Sequence, residues 1–233
     1  MERLARACAE LLLVAGCLLT AACAGVPSGS ERVLDFHSDL TVREDGTLKV
    51  LEQVRLQSAG IKIKHGITQL FLKTVPDAQG RPQPFEANLL AVTRDGRAVP
   101  YDVQDTPDGR LLNIGDRQMP LPAGEHTYTI AFTTNRQVQA NGARCELFWN
   151  VIASQWDFPI DAASATVELP PTVPREGLAI RAYTGGPGVK NEDVSCKVHD
   201  GGRVQFEALG SLGVREGMTI WLSWPAPKVA ARP

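Results

Sequence analysis

The chain reads as an all-β protein: an immunoglobulin-like antiparallel β-sandwich of about eleven strands, preceded by a signal peptide. Three observations predict this. From Val33 onward, apolar and polar residues alternate with a period of two. Val, Ile, Leu, Thr and Phe dominate the runs, and Gly, Pro, Asp and Asn interrupt them at intervals of roughly eight to twelve residues. No segment after residue 31 keeps a helical period over three turns. A sheet protein of this strand number folds into two facing layers so that each buries its apolar side.

The amino terminus departs from this pattern. MERLARACAE carries Arg3 and Arg6, and residues 11–23 then run without a charge, which outlines a secretory signal peptide. As a helix that run would rise about 20 Å, short of the ~30 Å hydrocarbon core of a bilayer. Leu19-Thr20-Ala21-Ala22-Cys23 is a lipobox-like sequence, in which small residues fit a peptidase and the Cys23 thiol becomes acylated. Leu13 to Cys17 forms a second such box after a shorter apolar run. Ordinary cleavage after Ala24 is the alternative. The expected organisation is a signal peptide of the lipoprotein type at 1–22, a polar tether at 23–30, a sandwich at 31–225 and a tail at 226–233. The Pro-rich stretch 159–174 leaves open two lobes, 31–158 and 159–225. One unit is preferred, because the second lobe alone would be marginal in size.

The strands follow in order. VLDFHSDLTV and TLKVLEQVRL flank Arg43-Glu44-Asp45-Gly46, where Asp-Gly accepts the positive φ of a tight hairpin turn. The same chemistry recurs at Asp95-Gly96 and at Asp108-Gly109. In HTYTIAFTT, Tyr128, Ile130 and Phe132 share one face. LFWNVI, ATVEL, LAIRAY, RVQFEAL and MTIWLSW complete the set. In LFWNVI, Leu147, Trp149 and Val151 alternate with Phe148, Asn150 and Ile152. Both faces are therefore apolar, as in a central strand buried from two sides.

The chemistry-bearing residues point mostly to structure. With 24 Lys plus Arg against 26 Asp plus Glu, the charge excludes a global pull toward nucleic acid. A thiol enzyme would set Cys145 beside His199 and Asn150, but Cys145 lies in a strand-like run without the turn that exposes and acidifies a nucleophilic thiol. His37, His65, His126 and His199 are scattered without metal-ligand spacing, and no cofactor motif is present. Asp35, Asp39, Glu44, Asp45, Glu146, Asp157 and Asp161 are candidates for paired carboxylates of a hydrolase. Lys62, Lys64 and His65 in IKIKHG read as a protected edge strand or as a contact for lipid headgroups. After export, Cys145 and Cys196 remain in the body of the fold, either as one disulfide or as two buried free thiols.

Five stretches carry a resemblance: ERVLDFHSDLTVREDGTLKVLEQVRL, KHGI, VTRDGRAVPYDV, LPAGEHTYTIAFTTNRQV and ELFWNVIASQWDFPIDAASATVELP. Together they resemble the amino-terminal domain of the predicted membrane protein family called domain of unknown function 2207, over residues 31–225. Its signature here is Glu146, Leu147, Phe148, Trp149, Asn150, Trp156 and Pro159. The resemblance implies an exported β-rich domain joined to membrane segments, and no catalytic residues. Thr68-Gln69-Leu70-Phe71 departs from the family pattern, and the chain stops at Pro233 before any carboxy-terminal membrane segment, so an acylated Cys23 would supply the anchor instead. The expected function is a non-enzymatic, membrane-tethered envelope module that binds an envelope protein or polymer. An envelope hydrolase with an acidic cleft and a purely structural lipoprotein are the alternatives. A pocket of acids with raised pKa would favour the hydrolase, and an unpaired strand edge would favour binding.

Overall fold

The computed structural model describes residues 31–77 and 79–226. The expected signal peptide, the expected lipidation at Cys23 and nearly all of the 226–233 tail lie outside these residues. Seventeen strands form, in chain order β1 (Arg32–Val42), β2 (Leu48–Ser58), β3 (Gly66–Leu72), β4 (Thr74–Pro76), β5 (Pro82–Pro84), β6 (Ala87–Arg94), β7 (Arg97–Ala98), β8 (Tyr101–Asp105) and β9 (Gly109–Gly115). They continue as β10 (Gly124–Thr134), β11 (Val138–Asn141), β12 (Arg144–Ile152), β13 (Ala163–Glu168), β14 (Ala179–Gly185), β15 (Val194–Val198), β16 (Arg203–Ala208) and β17 (Gly217–Pro225). The sequence expectation of about eleven falls short chiefly because β4, β5, β7 and β11 have four residues or fewer. Too short for periodicity to register, they exist because a neighbour supplies a ladder.

The strands sort into an eight-stranded sheet in the order β15-β16-β13-β1-β2-β10-β6-β7, a four-stranded sheet β11-β12-β17-β14, a three-stranded sheet β3-β9-β8, and the β4-β5 ribbon. Among the described residues, all strand pairs are antiparallel except β1 with β13, which run parallel from Phe36 opposite Ala163 to Thr41 opposite Glu168. That exception arises because the chain leaves the large sheet after β10, builds β11 and β12 in the second sheet, and returns beside β1. Pairings cross residue 159 in both sheets, β1 with β13 and β12 with β17. Residues 159–225 therefore do not form a sheet of their own.

The predicted turns set the registers. Asp95 and Gly96 have φ of 54° and 74°, the positive pair that a two-residue hairpin needs, and join Arg94 to Arg97. At the first hairpin, the Gly46 amide donates to Arg43 O at 2.9 Å, while the Asp45 carboxylate accepts from the Thr47 amide and hydroxyl. Glycine is also required where β3 meets β9. A Cβ on Gly115 would stand 1.8 Å from His65 O, and its φ is +133°.

The inward faces of the sheets merge into one core, from Phe36, Leu40, Val50, Val54, Tyr128, Ile130 and Phe132 on the large sheet to Leu147, Ile220 and Leu222 on the four-stranded one. Phe132 on β10 meets Phe71 on β3 edge to face at 5.0 Å, Phe71 stacks on Phe85 at 6.5 Å, and Phe85 lies 5.9 Å from Trp149 on β12. This row of rings crosses from the large sheet to both smaller ones.

Two expectations are corrected. Residues 59–65 form a loop and not an edge strand, because the Glu31 carboxylate accepts the amides of Ala59, Ile61, Lys62 and Ile63 at 2.7–3.1 Å and takes them away from any ladder. Burial acts to raise the Glu31 pKa, and these donors outweigh it and hold the carboxyl below its ordinary range. Cys145 and Cys196 are free thiols and not a bridge. Cys145 sits on β12 opposite Trp224, whereas Cys196 is exposed on β15, the outermost strand of the other large layer.

Replacing Phe71, the ring that touches two others, is expected to cost about 3–5 kcal/mol as Phe71→Ala. A urea unfolding curve followed by tryptophan fluorescence measures it.

Candidate functional site

On β2, the residues that face the core are Leu48, Val50, Glu52, Val54, Leu56 and Ser58. Glu52 thus occupies an inward register between two valines, and its side chain is as buried as theirs, with the residue 3% exposed. In the ladders it stands opposite Ser38 of β1 and Ile130 of β10. Among the described residues, Glu52 Oε2 and Ser38 Oγ have no hydrogen-bond partner and Glu52 forms no ion pair. Burial pushes its pKa up to about 8. At neutral pH the group is mainly a neutral carboxylic acid, with one O–H to donate and a carbonyl to accept.

Glu52 lines a cavity of about 70 Å³ at the meeting of the three sheets. Seven aromatic side chains wall it: Phe36, Phe71, Phe85, Phe132, Phe148, Trp149 and Trp156. Gln69, Asn150 and Gln155 supply amides, and Glu52 is the only titratable residue of the lining. The Trp149 indole N–H is buried without an acceptor, whereas Asn150 Oδ1 accepts from the Thr219 hydroxyl at 2.8 Å. Two surface clefts share walls with the cavity. One, of about 530 Å³, runs along Gly66–Leu70 of β3 to Trp156 and Phe158. The other, of about 480 Å³, runs past Asn150 and Ala153 to Tyr183–Lys190.

The family-signature stretch forms much of this wall. Phe148, Trp149, Asn150 and Trp156 line the cavity, and Leu147 is fully buried behind it. Trp156 meets Phe36 edge to face at 5.9 Å, and Pro159 O accepts the Val33 amide and pins the exit of the segment to β1. Glu146 points elsewhere and accepts from Gln79 and Asn141.

The other sequence candidates are not brought together. Asp157 pairs with Arg215, Asp161 with Arg32, Asp39 with His37, and Asp45 caps its own turn. None of them lines the cavity. Cys145, with its thiol pKa raised by burial, is not beside His199, which faces Gln205. No group of three or more His, Cys, Asp or Glu residues is placed to hold a metal ion among the described residues. Sequence reasoning missed Glu52. Its signal was present in LKVLEQVRL as a charged residue at an inward position of an alternating run.

A carboxyl whose pKa rises on folding stabilises the native state below the unfolded pKa of about 4.5, and that stability is lost as pH rises toward about 8. The urea midpoint is expected to fall from pH 5 to pH 8, by at most about 1.4 kcal/mol of stability per pH unit from this group. Glu52→Gln should flatten that part of the profile, which parallel titrations of the two proteins measure.

The family model of the predicted membrane protein (DUF2207) N-terminal domain matches residues 32–224. An Escherichia coli K12 protein printed as "Uncharacterized protein YciQ" is 25% identical over 219 residues, which cover 92% of this chain and 34% of that one. The chain thus spans about a third of that relative's length. Among solved structures, yeast LTA4 hydrolase in complex with bestatin superposes with a TM-score of 0.52 at 14% identity, covering 82% of this chain and 28% of the other. The native yeast enzyme gives 0.50 at 13%, covering 82% and 29%. These likenesses show the fold alone.

Proposed function

The chain belongs to the family of predicted membrane proteins defined by the DUF2207 N-terminal domain, and from that premise we propose that it is a non-enzymatic binding module of the cell envelope. It receives an extended polypeptide segment of an envelope protein along β3. The observation that carries this is the free edge of β3. In the order β3-β9-β8 only one side of β3 is paired among the described residues, and β3 runs beside the cleft that shares Gln69, Leu70, Gln155 and Trp156 with the lining of the Glu52 cavity. An unpaired edge offers backbone donors and acceptors to an incoming strand, and an adjacent pocket selects one of its side chains. Gln155 Nε2, 3.5 Å from Leu70 O, is the one side-chain donor near that edge, a long contact that an added strand would displace.

A hydrolase reading has one observation in its favour, the raised pKa of Glu52 within a pocket. Hydrolysis also needs a nucleophile or a second carboxylate within reach of the same bond, and the lining offers neither. Glu52 therefore supports recognition better than turnover.

The anchor completes the proposal. Acylation of Cys23 would hold the module at a membrane surface, and the chain enters the fold at Glu31, clamped to the loop 59–63. Metabolic labelling with an alkynyl fatty acid is expected to mark the wild type and not Cys23→Ala, and the variant should move to the soluble fraction. An unlabelled wild type would remove this part.

A photo-crosslinking residue at Thr68, exposed on β3, is expected to capture one envelope protein in intact cells. The same residue at Val198, on the far edge strand β15, should not. Equal yields at both positions, or none at Thr68, would refute the edge-binding proposal.

A further inference from the structure

We infer that the Glu52 cavity is a receptor for an organic ammonium group, the head of a lysine-like side chain carried by the polypeptide on β3. The inference rests on the binding mode proposed above and names the chemistry of its ligand. Two features of the cavity point to it. Its walls carry seven aromatic side chains, Phe36, Phe71, Phe85, Phe132, Phe148, Trp149 and Trp156, and aromatic rings attract a desolvated cation that approaches their faces. Its one acidic group is a buried carboxyl with Oε2 unpartnered, so the empty site holds a polar atom that a ligand can satisfy.

Other ligand classes fit less well. An anion would meet a carboxyl and a wall of aromatic side chains with no cationic group among them. A purely apolar group would fill the cavity and leave Glu52 Oε2 and the Trp149 indole N–H unsatisfied. A lysine-bearing segment answers both, the ammonium against Glu52 and a main-chain carbonyl of the ligand accepting from Trp149. The remaining ammonium hydrogens have the side-chain carbonyls of Gln69, Asn150 and Gln155 in the lining.

The exchange balances in protons. In the empty site Glu52 carries its proton. When the ammonium enters, the carboxyl releases that proton to solvent and remains as carboxylate beside the cation, so one proton leaves per ligand bound below about pH 8. The groups facing Glu52 do not compete. They are Val50 and Val54 on its own strand, Ser38 and Ile130 across the ladders, and a lining from β3, β12 and the 153–156 turn that holds no other titratable side chain.

The test titrates acetyl-Ala-Lys-Ala amide and its norleucine counterpart into the full chain in detergent, followed by tryptophan fluorescence and by calorimetry in buffers of different ionisation enthalpy. The lysine peptide is expected to bind at least tenfold tighter at pH 7.5. Its affinity should rise about tenfold per pH unit up to about pH 8 and then level, with close to one proton released at pH 6.5. In Glu52→Gln, the neutral isostere of the protonated acid, the two peptides should bind alike. If that variant does not fold, the pH profile and proton count of the wild type still decide. Equal binding of the two peptides by the wild type, or a flat pH profile, overturns the ammonium site and leaves the strand-edge reading standing. Binding of neither peptide, with a partner still captured from Thr68, has the same meaning. Binding of neither peptide without any capture overturns both.

Discussion

A row of aromatic contacts from Phe132 through Phe71 and Phe85 to Trp149 ties the large sheet to the two smaller ones. The three sheets share no ladder with one another, so their relative placement depends mainly on side-chain packing, helped by a few backbone bonds such as those from the Gln137 and Val138 amides to Gly46 O at the β1–β2 turn. Rings suit this task because each presents a large apolar area and packs at several angles without a fixed partner geometry. The cavity is a consequence of the same arrangement. Three twisted sheets meeting over large flat side chains do not fill the interior to crystal density at every point, and the gap falls where Phe36, Phe71 and Trp149 converge.

Into that gap β2 directs a glutamate. An inward carboxyl without partner costs the fold stability, most of all once it is ionised, and burial relieves part of that cost by keeping the proton on. A leucine at the same register would pack as its neighbours Val50 and Val54 do. The local choice runs against the core around it, and such a conflict is characteristic of a site where recognition is gained at the expense of packing. The unpaired edge of β3 is a second conflict of the same kind, since such an edge invites pairing and the three-stranded sheet leaves it without a partner strand among the described residues. Both conflicts lie on one side of the molecule and share Gln69 and Leu70, and that coincidence gives the binding reading its weight.

Alternation and turn chemistry, both local properties, were legible in the chain itself. The Asp-Gly turns at 45–46 and 95–96, the inward face of Tyr128, Ile130 and Phe132, and the role of the 145–159 stretch as wall follow from period two and from φ preferences alone. What the chain hid was long-range. The return of β13 beside β1 depends on where the polypeptide goes between residues 134 and 163. The loop at 59–65 looks like a strand until Glu31, nearly thirty residues away, takes its amides. Compartment and number left the cysteines either bridged or free, and the choice is tertiary, because pairing requires that two strands place them side by side.

Glu52 marks the division most clearly. Its inward register was written in LKVLEQVRL, because the period of a strand is two and every second residue there is apolar. Whether an inward glutamate meets a cation, a water channel or an aromatic cage is not a property of its own strand. Only the packing of β3, β12 and the 153–156 turn over β2 decided that it shares a cavity with seven aromatic side chains and no counter-charge. Sequence determined the strands, the turns and which way each side chain faces, since these depend on neighbours along the chain. Tertiary structure decided what each side chain faces, since that depends on contacts between residues far apart along the chain.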